Sequence, residues 1–209
     1  MKNYVKIISI LDRSGSMASI IDDSILGFNY FLKCQKEIDG NATITTHLFD
    51  DVYETIYKDV DIQLVKDLNK NTYVPRGSTA LIDAIGKTID DEIDWLSQTS
   101  IEERPEKTLC IIVTDGQENA SRKYNNEWIK EMIEEMRMDF KWEFIFLGSN
   151  IDSFSIANSL NISSGNAMNY TSDSHGVQMA YASINSATKS YRSSTNTTVD
   201  NLIQDDNIQ

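Results

Sequence analysis

Val5-Lys6-Ile7-Ile8-Ser9-Ile10-Leu11 runs directly into Asp12-Arg13-Ser14-Gly15-Ser16, and that junction decides the fold. The apolar run is short, rich in β-branched residues and followed at once by turn residues, as a strand buried on both faces would be. A carboxylate and two hydroxyls then occupy alternate positions where the strand must end, and Gly15 lets the backbone turn around them. Oxygen-only donors of this kind suit a hard divalent cation. Alone, such a cluster is ordinary loop chemistry.

Two later segments add to it. Pro75-Arg76-Gly77-Ser78-Thr79 leads into the helical pattern Ala80, Leu81, Ala84, Ile85, Thr88, Ile89. Thr108-Leu109-Cys110-Ile111-Ile112-Val113-Thr114-Asp115-Gly116 is a second buried strand that ends in an Asp-Gly turn. Asp12-x-Ser14-x-Ser16, Thr79 and Asp115-Gly116 together resemble the metal-ion-dependent adhesion site of the von Willebrand factor type A family, with the five liganding positions filled in order. The resemblance covers about residues 4 to 191. It implies that Ser14, Ser16 and Thr79 ligate a metal directly, that Asp12 and Asp115 mostly hold its waters, and that Mg²⁺ is the occupant, with Mn²⁺ or Ca²⁺ as alternatives. It further implies a protein-interaction module whose partner supplies an Asp or Glu to the metal. Asp22-Asp23 is similar to the acidic pair of a second metal site in integrin β subunits, but lies about a helical turn too far along.

Outward from these motifs the chain alternates strand and amphipathic helix. Met17 to about Glu37 reads as a helix with Ile21, Ile25, Phe28 and Leu32 on one face, and Ser16 is a candidate N-cap for it. Ala42–Phe49 and Val52–Tyr57 read as a hairpin around Asp50-Asp51, a turn pair. Asp61–Leu68 reads as a short helix, Asn69–Ser78 as a loop and Thr79–Leu96 as a helix. Asn126–Phe140 is expected to turn Trp128, Met132, Ile133 and Met136 inward. A strand over Glu143–Gly148, a helix over Ser153–Leu160, a strand over Ala167–Tyr170 and a helix over Gly176–Tyr191 complete the pattern. The expectation is one α/β domain over 1–191: a doubly wound, mostly parallel sheet in the order 3-2-1-4-5-6, with one antiparallel edge strand and helices on both faces. Residues 192–209 are polar and read as a mobile tail, although Val199, Leu202 and Ile203 could dock weakly on a neighbouring surface.

Composition narrows the function. The chain has 209 residues, a net charge of −13 and 40% hydrophobic residues, enough for one well-buried domain. The charge argues against nucleic-acid binding, which rests on Lys and Arg. No apolar stretch reaches membrane-spanning length. The N-terminal stretch is too short for a secretory signal, and Cys34 and Cys110 lack metal-ligand spacing and read as buried reduced thiols, so cytoplasmic residence is expected. Catalysis is disfavoured. Ser14 stands where a phosphotransferase of the haloacid dehalogenase type has a second Asp, and neither His47 nor His175 sits beside a candidate nucleophile. Glu118 and Asn119 either line the rim of the site or, the favoured reading, lie in a solvated loop, and Arg13 and Arg76 either steer an acidic partner or are exposed loop charges. Two readings stand beside partner binding: a metal-stiffened assembly module, and a metal-dependent phosphotransfer or hydrolase enzyme.

Overall fold

The computed structural model describes residues 4–194 and 201–203. Six strands form one sheet: β1 (Tyr4–Asp12), β2 (Asn41–Phe49), β3 (Tyr53–Asp61), β4 (Lys107–Thr114), β5 (Trp142–Ser149) and β6 (Ala167–Tyr170). Their order is β3-β2-β1-β4-β5-β6, with every pairing parallel except β2–β3. Among the described residues four α-helices connect them, α1 (Ile21–Lys36), α2 (Leu81–Gln98), α3 (Asn126–Phe140) and α4 (Ser153–Ser159), and a fifth, α5 (Ser174–Ser193), follows β6.

Side chains that alternate along β1 enter two separate cores. Ile7 and Leu11 pack with Phe28, Leu32, Ile184 and Tyr191 of α1 and α5. Ile8 and Ile10 pack with Ile85, Ile89, Ile133 and Met136 of α2 and α3. Both faces of the sheet are therefore dry, which explains why β1 and β4 read as unbroken apolar runs. The chain reverses its winding between β1 and β4, so the carboxyl ends of these two strands border the crevice where such sheets bind ligands.

Four local expectations are corrected. The segment before α1 is a 3-10 turn, Gly15–Ser19, and α1 starts only at Ile21, so Ser16 does not cap it. Asp61–Leu68 contains only a 3-10 turn, Ile62–Leu64, after which Val65 is extended. Beyond that turn the backbone bonds α1 side chains: Lys36 donates to the Val65 carbonyl, and Asn29 both donates to and accepts from Leu68. On α3 the buried residues are Ile129, Ile133 and Met136, whereas Trp128 is 55% exposed. Cys110 is buried, but Cys34 is only partly so.

Beyond residue 191, α5 continues to Ser193, and Leu202 and Ile203 join the α1–α5 core through bonds from their N–H groups to the Asn166 side chain and the Gly165 carbonyl. The rest of the expected tail, 195–200 and 204–209, lies outside the described residues. Among the described residues no helix is long and apolar enough to cross a membrane.

Candidate functional site

The turn after β1 is built on the Asp12 carboxylate. Its Oδ1 accepts the Ser14 N–H at 2.6 Å and its Oδ2 accepts the Thr114 hydroxyl of β4 at 2.6 Å, so one side chain shapes its own loop and ties two strands. The Ser14 and Ser16 hydroxyls lie 3.1 Å apart, and Ser16 Oγ donates to Asp115 Oδ1 at 2.6 Å. Thr79 arrives on a separate loop that runs beside the first, joined by Arg76 N–H to the Arg13 carbonyl at 2.8 Å and Gly15 N–H to the Gly77 carbonyl at 3.2 Å. Gly77 is required there, because its φ of +64° is left-handed and a Cβ would overlap Asp51 Oδ1. A Cβ at Gly116 would stand 3.3 Å from Thr79 Oγ1 and 3.4 Å from Ser16 Oγ. Asp12, Ser14, Ser16, Thr79 and Asp115 thus meet at the carboxyl end of β1 and β4.

Much of the supporting scaffold is silent in the sequence. Buried Tyr73 donates its hydroxyl to the Asp12 carbonyl, and Tyr170 does the same for the Thr114 carbonyl at 3.0 Å. Asn150, at a left-handed φ of 58°, donates to the Asp115 carbonyl at 3.2 Å. Asn119 is no free rim residue: its side chain accepts the Thr79 N–H at 3.0 Å while its own N–H returns to the Thr79 carbonyl. Glu118 accepts from Ile82, Ala120 and Ser121, which fastens the loop after β4 to the start of α2. Arg13 is 3% exposed and pairs with Asp50, which also takes Arg76. Asp50 and Asp51 do turn the hairpin, but Asp50 reaches across to the site. Thr114 and Asn119 stood next to motif residues and Asp50 in a recognised turn; nothing in the pattern pointed to Tyr73 or Tyr170.

The electrostatics favour a cation. Burial raises the Asp12 carboxyl above its ordinary range despite the bonds from Thr114 and Ser14. Burial, with the Asp12 charge adding to it, pushes Asp115 up to about 6 against the bond from Ser16. Two carboxylates that the protein alone leaves short of positive charge, beside three neutral hydroxyls, are a donor set whose charge matches one divalent cation. The residues present therefore fit such an ion. Among the described residues no three His, Cys, Asp or Glu side chains gather elsewhere into a metal-binding group.

No family model matches the sequence, and no curated protein sequence matches it. Solved structures do match the fold. Proximal thread matrix protein 1 of the mussel byssus, in a form with a zinc-occupied adhesion-site motif, superposes with a TM-score of 0.60 at 14% identity, over 88% of this chain and 45% of that one. The von Willebrand factor type A protein of Catenulispora acidiphila gives 0.59 at 11% identity, over 90% and 43%. The fold is that of von Willebrand factor type A domains. The manganese-loaded TRAP protein of Plasmodium vivax matches it as well, with a TM-score of 0.58 at 14% identity, over 86% of this chain and 71% of that one. The chain spans less than half the length of the mussel and Catenulispora proteins.

Proposed function

We propose that this type A domain binds a partner protein through an Asp or Glu side chain presented to a divalent cation, held by Asp12, Ser14, Ser16, Thr79 and Asp115. The observation that carries this reading is the convergence of three hydroxyls on two buried carboxylates. When bound, the cation supplies a Lewis-acidic position facing the crevice, since most of its donors are neutral. The chain's own residues do the rest: Asp12 and Thr114 lock β1 to β4, and Asn119 orients Thr79. Next to the Thr79 loop, a cleft of about 720 Å³ lined by Asp51, Ser78, Asp83, Lys87, Arg122 and Tyr124 gives room to residues that flank the partner's acid.

Zinc and manganese in the mussel and Plasmodium proteins support a divalent ion; we favour Mg²⁺ because the set is all oxygen. No catalytic role is part of this reading. Cytoplasmic residence belongs to it on the strength of two unbridged cysteines. A pulldown from lysate in Mg²⁺, in EDTA and with Thr79→Ala tests it. Capture should be lost in EDTA, return with Mg²⁺ and be weak for Thr79→Ala. A partner retained equally in all three would refute the mechanism.

A further inference from the structure

Asp50 closes β2 at the turn, far in sequence from every residue of the adhesion-site motif, and yet it touches both liganding loops. Its carboxylate Oδ2 accepts Arg13 Nε at 3.0 Å and Arg76 Nε at 2.7 Å. Its carbonyl accepts the Ala80 N–H at 3.0 Å, and its Oδ1 accepts the N–H of Val52. Arg13 precedes Ser14 and Ala80 follows Thr79, so one buried residue holds the chain neighbours of a ligand on each loop. The Asp50 side chain is fully buried and Arg13 nearly so, while the Arg76 side chain is half exposed. Arg13 spends a further donor on Glu54 Oε2. Two guanidiniums and two carboxylates leave this network neutral, so it adds geometry to the site without adding charge.

We propose that Asp50 is a positioning residue of the cation site, the carboxylate that sets the separation of the Ser14–Ser16 loop from the Thr79 loop. The inference rests on the metal-site reading above and deepens it. The two backbone bonds between the loops fix their direction, but each is a single contact between neutral groups. Charge-assisted bonds to Arg13 and Arg76 are the stronger tie, and they come from outside both loops. A cation site needs its donors held within about 0.5 Å. Replacing the carboxylate frees the Arg76 side, leaves Arg13 buried with one partner fewer, and lets the Thr79 loop drift from the two serines.

The test is Mn²⁺ binding to the full chain, followed by electron paramagnetic resonance, with the thermal midpoint of each metal-free protein measured alongside. The variants are Asp50→Asn, Asp50→Ala and Arg76→Ala. Arg192→Ala is the control, since Arg192 binds the carbonyls of Gln35, Ile38 and Gly40 at the opposite end of the sheet. Both Asp50 variants should bind Mn²⁺ at least about tenfold more weakly while still folded, and Arg76→Ala about threefold more weakly. Arg192→Ala should lower the midpoint and leave Mn²⁺ affinity unchanged, separating positioning from general loosening. Asp50 variants within twofold of the wild type would overturn the inference and leave the metal site standing. If they fail to fold, Arg76→Ala decides, and unchanged affinity there overturns it equally. A wild-type protein that binds no Mn²⁺ would remove the metal reading and this inference together.

Discussion

Gly116 shows how much of the site is decided by single atoms. It follows Asp115 on the loop after β4, and the space of its missing Cβ is bordered by Thr79 Oγ1 at 3.3 Å and Ser16 Oγ at 3.4 Å. Its φ is ordinary, so alanine there costs no backbone strain, only a push of a few tenths of an ångström on two hydroxyls. Gly116→Ala should therefore lower divalent-cation affinity roughly tenfold, as calorimetric titration would measure, and shift the thermal midpoint by no more than about 3 °C. Equal affinity would show that these hydroxyls do not act together. The five motif positions were legible because their chemistry is written in residue types at turns. Their supports were not, because Tyr73 and Tyr170 act through hydroxyls that meet carbonyls 61 and 56 positions away. No local pattern encodes such a contact.

Periodicity located every strand and every long helix, because both sheet faces are covered and each element must bury an apolar stripe. It misjudged the face of α3 by one residue at Trp128, and it took Asp61–Leu68 for a helix where tertiary bonds to Asn29 and Lys36 won over local propensity. It also missed a charge inside the fold. Lys6 points from β1 toward α2, pairs with Glu92 at 2.6 Å, and lies 4.0 Å from the Trp95 ring centre. Lys6 is 1% and Glu92 3% exposed, and burial holds the Glu92 carboxyl above its usual range despite Lys6. Removing Glu92 leaves the buried Lys6 ammonium only its longer, 3.7 Å pairing with Asp59. Glu92→Ala should cost about 3–5 kcal/mol in urea unfolding, whereas Lys6→Met with Glu92→Leu should recover most of that loss. A double variant as unstable as the single one would mean that the pair is worth more than the packing that replaces it. Residues 201–203 make a similar point at the edge of α5. Leu202 and Ile203 are 7% and 6% exposed, so ending the chain after Ser194 should lower the midpoint by about 3–8 °C, as differential scanning calorimetry would read. An unchanged midpoint would show that the segment contributes no net stability.

At the scale of the molecule, two dry cores lie on either side of the sheet, so the chain should fold with or without a cation at the crevice, which occupies only one end of the fold. The overall response to acid comes instead from groups distributed through the fold with opposite signs. Asp12, Asp115 and Glu92 have raised carboxyls, so each contributes relatively more stability as the pH falls and it takes up its proton. His47 works the other way. It is 3% exposed on β2, stacked on the Tyr53 ring at 4.8 Å, with Nδ1 2.9 Å from the Thr55 hydroxyl and Nε2 lacking a hydrogen-bond partner. Burial lowers its pKa from 6.5 to about 3, with Lys6, Lys58 and Lys87 lowering it further and Asp91 opposing them. Below pH 6.5 the unfolded chain takes a proton on this ring that the folded chain refuses until about pH 3, so stability is present above that window and lost within it. The loss should approach about 1.4 kcal/mol per pH unit across the middle of the window. The carboxylates hide this in the wild type alone, so the measurement is a difference. Urea unfolding of wild type and His47→Gln from pH 7.5 to 4 should show the wild type losing stability relative to the variant as the pH drops. A pH-independent difference would mean that the folded ring takes up its proton at the same pH as the unfolded one, and would refute the effect of burial on His47.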